Sequence, residues 1–199
     1  MVARSRVVDR AAGVLLLAGG FANQVGAYMY GQHSGDGVGS APTAFFETER
    51  GSFMAGMVLS AVGFCLLDGR RYRPGAYVFM RLGVIGYLAG SIIGVVAETL
   101  ELTSTVVYPM IVVYVTLAFV SQAAIGCALS MSELVPRWIG WATVVWNIGC
   151  LTYLVLARPW DVYFPILHLI MPVFIGAALI LRRRRESAPE ADLADIQVG

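Results

Sequence analysis

The sequence predicts an all-α integral membrane protein, a polytopic bundle of six transmembrane helices with both termini in the cytoplasm. Of its 199 residues, 58% are hydrophobic and only 14% are charged, whereas a soluble domain carries about 25% charged residues. The apolar residues lie in runs close to the ~20 residues that a helix needs to cross a hydrocarbon core. Arginine collects in alternate connections between these runs, as it does in the cytoplasmic loops of membrane proteins.

The predicted spans follow the apolar runs along the chain. They cover residues 11–31, 45–67, 76–97, 105–129, 138–157 and 161–181. Residues 1–185 are therefore predicted to form one transmembrane domain. Residues 186–199 are polar and acidic with no helical stripe, which is typical of a disordered tail, here a cytoplasmic one.

The first span follows three arginines, Arg4, Arg6 and Arg10. An arginine-rich start before an apolar run is also typical of a secretory signal peptide. The apolar run continues to Tyr30 without a convincing small-residue cleavage site. This continuation favours a retained span.

The second span has the shortest uninterrupted apolar run. At 1.5 Å per residue the run from Ser52 to Leu67 would reach only about 24 Å. The prediction therefore extends the span back to Phe45. This extension places the charged residues Glu47, Glu49 and Arg50 at the membrane interface.

The arginine distribution predicts the orientation. All fourteen basic residues are arginine, which excludes a Schiff-base or general-base lysine. With six spans, only Arg50 and Arg158 fall on the outer side. The other arginines mark the cytoplasmic side of a plasma (inner) membrane: Arg4, Arg6, Arg10, Arg70, Arg71, Arg73, Arg81, Arg137 and Arg182–Arg185.

The third span carries a ridge of small residues, Gly86, Gly90 and Gly94. Small residues mark helix contacts in lipid because they let two backbones approach closely. The same spacing continues to Glu98, and Glu101 lies one turn further on. Both carboxyl groups are therefore predicted to tend toward the packed side of this helix. Span two is predicted to have a similar face, made by Gly56, Ser60 and Gly63.

Polar residues near the middle of the spans form a predicted midplane layer, roughly 10 to 18 Å from a membrane face. Its members are Asn23, Gln24, Gln122, Asn147 and His168. Polar groups at this depth cost free energy unless they have partners. One interpretation is hydrogen bonding between helices, worth about 0.6 kcal/mol each. The other is a ligand chamber that opens outward, with Asn23, Gln122, Asn147 and His168 as ligand-binding residues and Asp161 at its rim.

Glu98 and Glu101 would complete the rim of that chamber. Two carboxyl groups within one turn suit general-acid or proton-relay chemistry, so these two are the candidate catalytic residues. The alternative is that both are solvated charges in the outer headgroup region. His168 lies between Pro165 and Pro172, where an irregular helix is expected to free backbone carbonyls as further ligands.

No cofactor or metal ion is predicted. The chain has no GxxxxGK[ST], HExxH or GxSxG pattern and only two histidines, His33 and His168. Its three cysteines lie in apolar runs without CxxC spacing and are interpreted as small buried hydrophobic residues: Cys65, Cys127 and Cys150. The arginines are interpreted as membrane anchors, so no nucleic-acid partner is expected.

The segment that enters the fifth span, SELVPRWIGW at residues 132–141, resembles a family of small six-span bacterial membrane proteins that carry a domain of unknown function. This family is common in actinobacteria. The start of the first span, RAAG at residues 10–13, is similar too. The resemblance covers nearly the whole chain and implies six helices, but it implies no reaction and no catalytic residue.

Three functions agree with these patterns. The first is binding or passage of a small hydrophobic molecule or lipid in the outward-facing chamber. The second is a membrane-embedded enzyme that cyclises or isomerises lipid or isoprenoid substrates with Glu98 or Glu101 as the acid. The third is a structural subunit of a membrane complex. Membrane lipids are the expected partners, with a further oligomer or complex left open.

Overall fold

The computed structural model describes residues 2–33, 43–69, 72–102, 108–157 and 164–181. Within these ranges every regular element is helical. The helices are α1 (Val2–His33), α2 (Thr43–Asp68), α3 (Pro74–Glu101), α4 (Tyr108–Ser130), α5 (Arg137–Ala157) and α6 (Ile170–Leu181), with a 3₁₀ segment (Phe164–Leu169) leading into α6. The predicted all-α fold is therefore confirmed.

The first five helices are long and apolar enough to cross a membrane. Each of them includes most of one predicted span, and α3 continues past residue 97 to Glu101. The side chains that face away from the bundle are large and apolar; on α3, Leu82, Ile85 and Ile92 are about three-fifths exposed. An apolar outer surface of this kind is what a multi-pass membrane protein presents to lipid.

The sixth span differs from the prediction of one continuous helix over residues 161–181. The described part begins with the 3₁₀ segment, and its α-helix has only 12 residues. Pro165 is the second residue of the 3₁₀ segment, and Pro172 is the third residue of α6. Proline has no backbone N–H and cannot continue the hydrogen-bond ladder of a helix, which explains the break. Residues 161–163 lie outside the described residues.

The helices pack largely in chain order. Each of α1 to α4 packs against the next helix, and α6 returns to pack against α1. The 3₁₀ segment rests on α1, α4 and α6, whereas α5 and α6 barely touch. The interior holds large buried side chains, including Leu16, Phe64, Phe119 and Ile175, none of which has any exposed area.

Glycines set the closest helix approaches. A Cβ atom on Gly126 of α4 would lie 2.8 Å from the carbonyl oxygen of Gly140 on α5, and the reverse distance is also 2.8 Å. Gly19 on α1 and Gly56 on α2 face each other in the same way, at 2.9 and 3.0 Å. These backbones have no room for a methyl group, as expected for helices that associate in lipid.

The predicted ridge on α3 is confirmed as a contact surface. A Cβ atom on Gly90 would lie 3.1 Å from Leu117 on α4, and one on Gly94 would lie 3.0 Å from the ring of Tyr114. Gly83, one turn before Gly86, extends the ridge, because its Cβ would lie 2.7 Å from a backbone oxygen of α4.

A glycine pair on α5 tests whether close approach stabilises the bundle. Gly140→Ala should lower stability by about 1–3 kcal/mol, because the added methyl group overpacks the contact with α4. Gly149→Ala, on the same helix with nothing within 4 Å of its Cβ position, should be neutral or slightly stabilising. Thermal unfolding of both variants in detergent measures the difference. Equal loss of stability in the two would contradict close packing at Gly140.

Candidate functional site

Two groups of buried polar side chains lie within the bundle. The first, called here the polar centre, lies midway along the helices and consists of Ser60, Tyr87, Tyr114, Gln122 and His168. The second, called here the Arg50 cluster, lies where the start of α2 meets the end of α3 and consists of Glu49, Arg50, Glu98 and Glu101.

His168 is held in the polar centre by a tyrosine. The hydroxyl of Tyr114 on α4 lies 2.7 Å from Nε2 of His168, and both side chains are at least 98% buried. The two rings meet edge to face, with centroids 5.2 Å apart. The histidine thus has a fixed orientation, with a hydrogen-bonded partner on the adjacent helix.

The irregular start of α6 exposes two backbone carbonyls to side chains of other helices. Pro172 cannot donate the i→i−4 hydrogen bond that the carbonyl of His168 would accept in a regular helix. Gln122 Nε2 donates to this oxygen instead, at 2.6 Å. The indole Nε1 of Trp146 on α5 donates to the preceding carbonyl, that of Leu167, at 2.9 Å. The expected free carbonyls exist, but side chains of the bundle already bind them.

Tyr87 brings α3 into the polar centre. Its ring has 1% exposure, meets Phe64 edge to face at 4.9 Å and lies 6.1 Å from the ring of His168. Its hydroxyl faces Ser60 on α2 and Gln122 on α4. Three helices therefore direct uncharged polar groups at one point.

The Tyr87 hydroxyl interacts with Ser60 and Gln122, but these three groups have no close hydrogen bond to the described part of the chain. They are the Tyr87 hydroxyl, Ser60 Oγ and Gln122 Oε1, and all are buried. Buried polar groups in native proteins are paired in roughly 90% or more of cases. Each unpaired group costs about 1–3 kcal/mol, and a hydrogen-bonding guest, either a ligand or water, would remove this cost for three groups at one point.

Two predicted ligand-binding residues, Asn23 and Asn147, are buried but lie apart from these contacts. Asn23 packs against Gly56, where a Cβ atom would lie 3.2 Å from the asparagine Cβ. Asn147 donates through Nδ2 to the carbonyl of Thr143 in its own helix, at 2.7 Å. Their Nδ2 and Oδ1 atoms, respectively, have no hydrogen bond among the described residues. The structure thus brings Gln122 and His168 together, whereas the two asparagines make other contacts.

Gln24 of the predicted layer and Asp161 of the predicted rim are not among the buried contacts described above. Gln24 is exposed on α1, so the expectation that it faces the bundle interior is wrong: the residue beside buried Asn23 points about 100° away around the helix. Asp161, the third predicted rim residue, lies outside the described residues.

The Arg50 cluster joins α2 to α3. Arg50 Nη1 lies 2.8 Å from Glu98 Oε2 and also contacts Glu101, while Nη2 lies 3.3 Å from Glu49 Oε1. The guanidinium also stacks over Phe46, 4.9 Å from the ring centre. Glu49 has no exposed area, and Arg50 and Glu98 are more than nine-tenths buried. The alternative of solvated loop charges at Glu98 is therefore wrong, because α3 continues as a helix and α2 covers its end.

Sequence reasoning placed Arg50 at the interface and missed its role. The sequence analysis used Arg50 only to decide which side of the membrane its loop faces. Counting arginines on each side gives no information about which helices contact each other. Tyr87 and Tyr114 were also missed as polar groups. The signal for Tyr87 was available, since it lies four residues after Gly83 and three before Gly90, on the packed side of α3.

The cysteines and acidic residues offer no metal site in the described parts of the chain, where no group of three or more His, Cys, Asp or Glu residues could hold an ion. Cys150 is buried as expected and Cys127 is partly buried, but Cys65 is exposed on α2. The interpretation of Cys65 as a buried residue is wrong, because the apolar surface of a membrane helix includes a lipid-facing side.

The Arg50 cluster can be tested through stability. Arg50→Gln should cost about 3–5 kcal/mol, because three carboxyl groups lose their cation in a buried site. The matched control is Arg81→Gln, which removes a partly exposed pair with Asp68 at 2.6 Å and should cost about 1 kcal/mol or less. Unfolding in detergent measures both.

A rescue variant separates charge from packing. Adding Glu98→Gln and Glu101→Gln to Arg50→Gln should restore part of the lost stability, because the uncompensated charges are removed. If Arg50→Gln proves no more harmful than Arg81→Gln, the cluster does not hold α2 against α3.

No protein-family model, no curated protein and no solved structure matches this chain. The resemblance of the segment at residues 132–141 to small six-span bacterial membrane proteins stays a prediction. Function is therefore inferred from the two buried polar groups and the helices that carry them.

Proposed function

We propose that this protein binds a small, largely hydrophobic molecule inside its helix bundle, at the polar centre. The observation that carries the proposal is the convergence of three buried, unpaired polar groups from three helices, on Ser60, Tyr87 and Gln122. A mostly apolar surround with a few convergent polar groups is the usual character of a ligand site. Phe64 and Phe119, both fully buried, supply apolar walls beside Tyr87 and His168.

The proposal includes six crossings with both termini in the cytoplasm. At about 2.0 Å per residue in a 3₁₀ segment and 1.5 Å in an α-helix, residues 164–181 would extend about 30 Å. This length matches the hydrocarbon core, so the irregular sixth segment is long enough to cross. An even number of crossings leaves both ends of the chain on the arginine-rich side.

We place the opening of the site at the seam between α5 and α6, toward the outer leaflet. These helices barely touch, and Trp146 bridges the seam through its hydrogen bond to Leu167. At the outer ends of α2 and α3, by contrast, the Arg50 cluster ties the two helices together. A hydrophobic molecule dissolved in the bilayer would reach the polar centre most directly through the seam.

The enzyme alternative loses support from the position of its two carboxyl groups. Glu98 and Glu101 both contact the guanidinium of Arg50. This contact engages both carboxyl groups in joining two helices rather than facing the polar centre. Holding α2 against α3 accounts for both residues, and we assign them this structural role.

Ligand binding can be tested on protein extracted from its native membrane. Mild-detergent extraction followed by mass spectrometry of the organic extract should reveal a co-purifying apolar molecule. His168→Leu should lose at least nine-tenths of it, because the leucine cannot bond Tyr114 and the polar centre rearranges. Gln24→Leu, a matched polar-to-apolar change on the exposed side of α1, should retain it. A ligand-free wild-type protein would contradict the proposal.

The six crossings can be tested by accessibility of single cysteines in a background without native cysteines. Arg73→Cys and Glu186→Cys should react with a membrane-impermeant maleimide only after the membrane is opened, because both lie on the cytoplasmic side. Arg158→Cys should react in intact cells. If Arg158→Cys and Glu186→Cys label from the same compartment, the sixth segment does not cross.

A further inference from the structure

We infer that the ligand of the polar centre presents a single uncharged oxygen group, a hydroxyl or a carbonyl, to Ser60, Tyr87 and Gln122. The inference rests on the proposed function and narrows the class of ligand. It follows from the charge, the donor and acceptor capacity, and the apolar surroundings of these three side chains.

The charge of the site favours an uncharged ligand. The side chains that act on the Tyr87 hydroxyl are Ser60 and Gln122, and both are neutral. The carboxylates of Glu98 and Glu101 are engaged with Arg50. His168, whose ring lies 6.1 Å from that of Tyr87, is bonded through Nε2 to the Tyr114 hydroxyl. An ionic headgroup placed at Tyr87 would therefore find each of these ionisable side chains already engaged, in a water-poor interior where an unpaired charge is very costly. An uncharged ligand avoids this cost.

The hydrogen-bonding capacity of the three side chains favours a hydroxyl or a carbonyl on the ligand. Gln122 Nε2 donates to the carbonyl of His168; a carbonyl only accepts, so this bond assigns the amide nitrogen and leaves Oε1 as a free acceptor. Ser60 and Tyr87 carry hydroxyls that donate or accept. A ligand hydroxyl could donate to Gln122 Oε1 and accept from Tyr87. A ligand carbonyl could accept from Tyr87 and Ser60, which makes these two oxygen groups the fitting partners.

Apolar and aromatic side chains surround the three polar groups. Phe64 contacts the Tyr87 ring at 4.9 Å, and Phe119 meets the His168 ring at 6.3 Å. Trp146, at the proposed opening, has its one polar hydrogen bound to Leu167. The rest of the ligand therefore meets apolar and aromatic surface, and a second polar group on it would be left without a partner.

The test compares probes of equal chain length that differ only at one end. The probes are a long-chain alcohol, the matching methyl ketone, the matching hydrocarbon, the carboxylate and the primary amine. Binding to the purified full-length protein in lipid nanodiscs is measured by native mass spectrometry and checked by the stabilisation of the protein against thermal unfolding. We expect the alcohol and the ketone to bind about tenfold or more tightly than the hydrocarbon, as one or two good hydrogen bonds would provide.

Two variants test which side chains cause the preference for the alcohol over the hydrocarbon. Tyr87→Phe and Ser60→Ala each remove only a hydroxyl, and each should reduce the preference for the alcohol over the hydrocarbon severalfold while hydrocarbon binding stays unchanged. The control is Ser130→Ala, which removes a buried hydroxyl at the end of α4, bonded to the carbonyl of Cys127 at 2.8 Å. This control should leave the preference intact.

Each outcome decides a separate point. Equal binding of hydrocarbon and alcohol, or tighter binding of the carboxylate or amine, would overturn the uncharged-oxygen inference while leaving intramembrane binding in place. A preference for the alcohol that survives Tyr87→Phe and Ser60→Ala would also overturn it. If none of the probes binds the wild-type protein, the proposed function itself fails.

Discussion

The structure depends on the absence of water in the hydrocarbon core, because every polar group in the bundle must find its partner within the protein or in a ligand. The break at Pro172 shows this constraint locally. It frees the carbonyl of His168, and Gln122 binds that oxygen from α4. Trp146 does the same for Leu167 from α5. Side chains of two other helices thus bind the irregular start of α6 and position His168 beside Tyr114.

The two buried polar groups satisfy the constraint to different degrees, and this difference separates structure from function. The Arg50 cluster gathers its charges around one guanidinium and joins the start of α2 to the end of α3, with Nε the only buried guanidinium nitrogen left without a hydrogen bond among the described residues. In the polar centre, by contrast, Ser60, Tyr87 and Gln122 on three helices all retain unused hydrogen-bonding capacity. A stable scaffold at the helix ends and an unsatisfied neutral centre between them agree with the binding function that we propose.

The fold was largely predictable from the sequence, and the site only in part. Apolar runs predicted the five long helices because length and hydropathy are local properties, and the spacing of Gly90 and Gly94 located a real contact with α4. Gln122 and His168 were found by their depth along the chain. Depth could not show that Gln24 points outward or that Arg50 reaches across to Glu98, because both depend on how helices rotate against one another. The sequence analysis considered the two prolines only as neighbours of His168. It therefore did not predict that α6 is short.

The most direct measurement of the central claim is a high-resolution crystal structure of the protein grown from its native lipids in a lipidic mesophase. The account predicts an elongated non-protein density whose end lies about 3 Å from the Tyr87 hydroxyl and Gln122 Oε1, with its length directed toward the seam of α5 and α6. A centre filled by protein alone, with no other density beside Ser60, Tyr87 and Gln122, would contradict it.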